Sequence, residues 1–163
     1  MGMKRKLIWT GVSLAVVFAL LQLANPPRTN PPAPPGHDVS ATNPPPPEIA
    51  ALLHAACYDC HSDQTKWPWY SHVAPVSWLV ASDVRNGRAR INFSDWPNEH
   101  PDWAARRWED ISDELDHREM PPAKYTLLHP AARLTGAQRQ ELIQWADAQA
   151  AKLKSSSQAS ASP

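Results

Sequence analysis

The chain has 163 residues, enough for one domain with appendages, and Lys+Arg equals Asp+Glu at 16 each. A formal net charge of zero leaves no basic surplus to neutralise phosphates, which argues against a nucleic-acid-binding protein. The 18 prolines are about twice the usual share, and eight tryptophans supply large flat side chains of the kind that suit an apolar, flat cofactor.

Met1 to Lys6 is a short cationic start, followed by the uncharged run Leu7 to Ala24. At about 1.5 Å per residue such a run reaches roughly 27 Å, enough to cross a bilayer core. The sequence therefore predicts a transmembrane signal anchor over residues 1–24. Lys4, Arg5 and Lys6 keep that end cytoplasmic, so the remainder is expected in the periplasm, on the inner membrane. A cleaved signal peptide is the rival reading. Leu21-Gln22-Leu23-Ala24-Asn25 offers no convincing small-x-small cleavage site.

More than half of the prolines fall in Asn25–Pro47. Proline fixes φ and donates no backbone hydrogen bond, so residues 25–47 read as a semi-rigid polyproline linker that holds a domain off the membrane. Residues 48–153 are expected to form that domain. Ile49, Leu52, Leu53 and Ala56 recur at helical spacing and predict a short helix from Glu48 to about Ala56. A second helix is expected over Val76–Asn86, with Val76, Leu79, Val80 and Val84 as its stripe. A third spans Asn98–His117, built on Ala104, Trp108, Ile111 and Leu115, with an acidic outer face. The fourth, Thr135–Leu153, opens on a Thr135/Gln138 capping box and carries Leu142, Ile143, Ala146, Ala150 and Leu153. Residues 154–163 read as a disordered tail. The class is all-α.

The two cysteines of the chain lie in Cys57-Tyr58-Asp59-Cys60-His61. This is the attachment pattern of a c-type haem. Residues i and i+3 share a helical face, so both thiols can meet the two vinyl groups at one edge of a porphyrin. His61 then reaches the iron as proximal ligand. One covalently attached haem c with its iron is the expected cofactor.

Met1 and Met3 precede the apolar run, which leaves Met120 as the methionine able to reach the site. Pro121 and Pro122 stiffen its loop, and the sequence assigns it as distal iron ligand. His54, His72, His100, His117 and His129 are its competitors, with His117 foremost. Trp67, Trp69 and Tyr70 are expected to pack around the haem. Arg85, Arg88 and Arg90 are expected at its propionates, since a guanidinium fork matches a carboxylate. The proximal histidine needs a partner for its second ring nitrogen; the carbonyl of Pro75 is assigned, with Pro68 as alternative.

Cys57-Tyr58-Asp59-Cys60-His61-Ser62, Thr65-Lys66-Trp67-Pro68-Trp69-Tyr70-Ser71 and Ala74-Pro75-Val76-Ser77-Trp78-Leu79-Val80 together resemble the bacterial haem-binding domain family. So do Asn92-Phe93-Ser94-Asp95-Trp96 and Met120-Pro121-Pro122-Ala123-Lys124-Tyr125, with His129-Pro130 and Leu134-Thr135 after them. The resemblance covers roughly residues 48–153. It implies a monohaem c-type domain, usually membrane-anchored, with Cys57, Cys60 and His61 as attachment and proximal residues. More broadly the order of motif, methionine loop and final amphipathic helix resembles a class I cytochrome c, in which the first and last helices pack together beside the haem.

The expected function is a membrane-tethered periplasmic carrier of single electrons, with a redox partner protein and no bond chemistry. The alternative is a haem enzyme or gas or redox sensor, peroxidase-like, with a displaceable sixth ligand. A dithiol redox pair or a zinc site built on Cys57 and Cys60 is the third reading. The first normally needs a βαβ setting, and the second lacks a fourth ligand.

Overall fold

The computed structural model describes residues 2–42, 44–97 and 100–161. Among these there is no β-strand, and eight α-helices carry the fold: α1 Met3–Leu21, α2 Val39–Thr42, α3 Pro47–Ala56, α4 Tyr58–His61, α5 Val76–Arg90, α6 Pro101–Asp116, α7 Ala123–Leu128 and α8 Gly136–Ala161. Asn98, where the sequence starts the third helix, lies outside the described residues.

The core is a helix pair with a third helix laid across it. α6 packs along α8, and α3 rests on α8, the pairing of first and last domain helices that the sequence anticipates. The predicted stripes face inward: Ile49 and Leu53 from α3, Trp108 and Leu115 from α6, and Leu142 and Ala146 from α8 are all buried. The capping box forms, with Gln138 Oε1 accepting from the Thr135 backbone N–H at 2.9 Å and Thr135 Oγ1 accepting from the Gln138 N–H at 3.2 Å. α8 then runs on through Ala161, past the point at which the sequence expects disorder.

Aromatic rings chain through this core. Tyr58 stacks on Phe93 at 5.1 Å, Phe93 on Trp96 at 5.8 Å, Trp96 meets Trp108 at 4.5 Å, and Trp108 meets Trp145 edge-on at 4.7 Å. Truncating a ring buried like Trp108 costs about 3–5 kcal/mol. Trp96, Trp108 and Trp145 thus serve the protein interior rather than the flat cofactor that the number of tryptophans suggests.

The proline-rich segment is the main departure from expectation. It is a strap laid along the domain, not a spacer. Asn30 donates to the Thr65 carbonyl at 2.9 Å, Arg28 donates to the Ser71 carbonyl at 3.3 Å, and the Val39 N–H donates to the Phe93 carbonyl at 2.8 Å. Val39 is fully buried. The prolines remove donors but keep their carbonyls, and the polar residues set between them make the bonds.

The strap begins at the end of α1. The Gln22 amide exchanges two hydrogen bonds with the Ala74 backbone, at 3.2 and 2.9 Å. Ser77 Oγ donates to Asn25 Oδ1 at 2.5 Å, and Trp78 Nε1 donates to the Ala24 carbonyl at 2.8 Å. Met3–Ala24 is long and apolar enough to span a membrane, with a mean hydropathy of 2.1 and no burial over its most apolar 18 residues.

Candidate functional site

α3 delivers the chain into Cys57, which caps it and starts the single turn of α4. The N–H groups of Cys60 and His61 donate to the Cys57 carbonyl at 3.2 and 3.0 Å. That turn sets the two thiols on one face, three residues apart. They are free thiols in this chain, and burial, followed by their mutual repulsion, pushes Cys57 up to about 12. Burial, then the charges of Asp83 and Asp59, pushes Cys60 up to about 11.

His61 Nδ1 lies 3.0 Å from the Gly87 carbonyl and 3.2 Å from the Ile91 carbonyl. Both neighbours only accept, so Nδ1 carries the proton and Nε2 is left with its lone pair. Burial lowers the His61 pKa, with the two carbonyl bonds working against it. A neutral imidazole with its far nitrogen free is the form a metal needs.

The second nitrogen is therefore not served by a proline. Pro75 is exposed and caps α5. The Pro68 carbonyl accepts from Ser71 instead, from its N–H at 2.9 Å and its hydroxyl at 2.6 Å. The last turn of α5 provides both carbonyls because Ile91 ends the helix there and Gly87 permits a close approach to α4.

Cys57, Cys60 and His61 line a cavity of about 1000 Å³ together with Met120, Tyr70, Tyr125 and His129. Val76, Leu79, Val80 and Val84 of α5 give it an apolar wall. Met120 is held from several sides. The N–H groups of Glu119 and Met120 donate to the Glu114 carbonyl at 3.0 and 3.2 Å, after Arg118 takes φ 60° to end α6. Arg139 of α8 donates to the Leu115 carbonyl at 2.9 Å and to the Met120 carbonyl at 2.7 Å.

Of the competing histidines, His117 and His129 line the cavity, whereas His54, His72 and His100 do not. His54 instead lies on Tyr58, with ring centroids 3.9 Å apart. Of the aromatic loop, Tyr70 lines the cavity and Trp67 and Trp69 do not. Trp69 is 79% exposed, and Trp67 Nε1 is buried without a hydrogen-bond partner among the described residues.

Of the three predicted arginines, Arg90 lines the cavity and Arg85 and Arg88 do not. Arg85 is exposed. Arg88 is consumed as a staple, donating to the Ser62 carbonyl at 2.8 Å, the Thr29 carbonyl at 3.0 Å, Asn30 Oδ1 at 2.9 Å and Thr65 Oγ1 at 2.9 Å. It also pairs with the nearly buried Asp63 at 3.4 Å. The cations that do line the cavity are Lys66, Arg90, Arg107 and Lys124, the last paired with Asp83 at 2.8 Å.

Sequence reasoning missed a polar wall. Tyr125 donates to Asp59 Oδ2 at 2.8 Å, and the Tyr70 hydroxyl shares a 2.9 Å hydrogen bond with His129 Nε2. The Tyr125 and His129 rings meet edge-on at 4.1 Å. His129 is among the competing ligands and Tyr70 among the expected haem neighbours; what was missed is Tyr125, whose place after the methionine loop is the one signal that could have flagged it.

The family described as "Haem-binding domain" matches residues 16–148. The chain belongs to the haem-binding domain family. A curated relative, cytochrome c peroxidase Ccp of Escherichia coli (strain K12), is 24% identical over 105 residues, which is 60% of this chain and 22% of the relative. The chain thus spans under a quarter of that protein's length. No solved structure matches it.

The residues present fit a haem. The cavity is broad and largely apolar, it places a dithiol turn and a neutral imidazole in one wall, and it adds a thioether from a fixed loop. Haem is bound here as the family's cofactor.

Proposed function

We propose that the protein is a membrane-tethered periplasmic monohaem c-type cytochrome that carries single electrons. Cys57 and Cys60 would hold one haem c covalently, His61 would ligate the iron from the proximal side and Met120 from the distal side. The observation that carries this reading is the single cavity shared by the Cys57–His61 turn and the Met120 loop. When bound, the haem supplies reversible one-electron exchange at its iron.

The chain's own residues account for the rest. The Gly87 and Ile91 carbonyls fix the His61 tautomer. Arg139 and Glu114 fix the Met120 loop through its backbone. The α5 stripe shields the site from water. A soft thioether favours the reduced iron, so His/Met ligation raises the potential. Residues 7–24 would tether the domain to the inner membrane, and its partner would be a redox protein.

The test is expression with c-type maturation, followed by a pyridine haemochrome assay. A spectrum of two saturated thioether links to one haem per chain is expected, and haem lost to acidified solvent would end the covalent reading. The likeness to a cytochrome c peroxidase favours a second reading, a haem enzyme or sensor with a displaceable sixth position. Carbon monoxide separates the two: rapid binding to the native reduced protein would remove Met120 as a firm ligand and favour the enzyme or sensor.

A further inference from the structure

We propose that the haem domain lies directly on the bilayer that α1 spans, through Trp69 and Trp78 beside the end of that helix. This rests on the proposed membrane anchor and goes beyond it, because an anchor alone leaves a domain free to tumble.

The joint between anchor and domain has no slack. The uncharged run Leu7–Ala24 has 18 residues, or about 27 Å at 1.5 Å per residue, just short of a hydrocarbon core of roughly 30 Å, which leaves Ala24 at its outer edge. Within one turn of that edge the domain is already bonded to the helix. Gln22 pairs with the Ala74 backbone, and Trp78 Nε1 donates to the Ala24 carbonyl at 2.8 Å. Asn25 receives the Ser77 hydroxyl at 2.5 Å.

The headgroup layer on each side is roughly 5–7 Å deep, half the difference between a bilayer with and without its headgroups. Trp78 is therefore inside that layer as soon as α1 is inside the membrane. Trp69 is 79% exposed and Trp78 38%, and neither lines the haem cavity. Tryptophan is the side chain that settles at the membrane–water boundary, with an apolar ring and a polar N–H. A second folded protein cannot take this place, because the gap between Ala24 and Trp78 is one hydrogen bond.

Val76 and Leu79, on the same helix as Trp78, line the haem cavity. The α5 wall of that cavity would then sit at the lipid surface.

The test uses the full haem-loaded chain in lipid nanodiscs, in the reduced state. A nitroxide on a ketone-bearing side chain is placed in turn at positions 12, 69 and 103. Each label's relaxation by oxygen is compared with its relaxation by a water-soluble nickel chelate. Position 69 is expected to show an oxygen preference several-fold above position 103, where Trp103 is 61% exposed on α6. Position 12, inside α1, should show the highest. If 69 matches 103 while 12 is lipid-buried, the docking is overturned and the anchor stands. If 12 is itself open to the nickel chelate, the anchor fails and the docking with it.

Discussion

Gly87 faces Cys60 so closely that a Cβ on it would lie 2.4 Å from the Cys60 carbonyl oxygen. That contact lets the Gly87 carbonyl reach His61 Nδ1. A methyl group there must push α5 away from α4. Gly87→Ala is expected to cost about 1–3 kcal/mol, the range for an overpacked core. It should also weaken the His61 hydrogen bond. Denaturant unfolding and the yield of haem-bearing protein check it together.

Met120→Ala should retain covalently attached haem and lower the reduction potential. The drop is expected to be on the order of 0.1 V, a fraction of the roughly 0.8 V that axial ligation commands. The methionine–iron charge-transfer band should vanish with it. An unchanged potential and band would hand the sixth position to another group, with His117 and His129 as the histidines that line the cavity.

Arg88→Ala removes four hydrogen bonds and leaves Asp63, 7% exposed at its side chain, without its cation. The expected loss is about 3 kcal/mol. Hydrogen exchange should speed up selectively along residues 25–42, where the strap comes loose. The haem potential should stay put, because Arg88 is outside the cavity; a large shift would restore it as a propionate partner.

Tyr125 supplies a pH dependence. Burial, and then its hydrogen bond and proximity to Asp59, raise its pKa above the ordinary 10.0. The folded state therefore holds a proton that the unfolded chain gives up. Stability from this group is complete below pH 10 and declines as the pH climbs beyond it. Tyr125→Phe is expected to flatten the alkaline limb of a stability–pH curve while costing stability at neutral pH through the lost bond to Asp59.

Much of the fold was legible from periodicity. Trp108, Ile111 and Leu115, or Leu142, Ile143 and Ala146, can pack in only one way once they are helical, and Thr135 with Gln138 marks its own helix start. The haem motif and the methionine loop were equally readable, because thiol, imidazole and thioether are chemically distinctive. The partners of His61 were not, since Gly87 and Ile91 act through carbonyls that every residue carries. Arg88 misled because a guanidinium advertises a charge and not its destination. The strap was misread for a related reason: a proline tract signals extension, while the bonds that dock it come from Gln22, Arg28 and Asn30 on one side and anonymous backbone on the other.

The Gly87–Cys60 contact bears on the order of events in maturation. Thioether formation draws on thiolate, and the folded chain raises Cys60 to about 11 and Cys57 to about 12. At neutral pH neither is ionised once α5 has closed over α4. If both thiols carry haem, attachment is expected to run ahead of that closure, on a chain still open at residue 87, and the prosthetic group becomes a template on which the helices settle. A chain that folds first would keep the cavity but hold both thiols protonated.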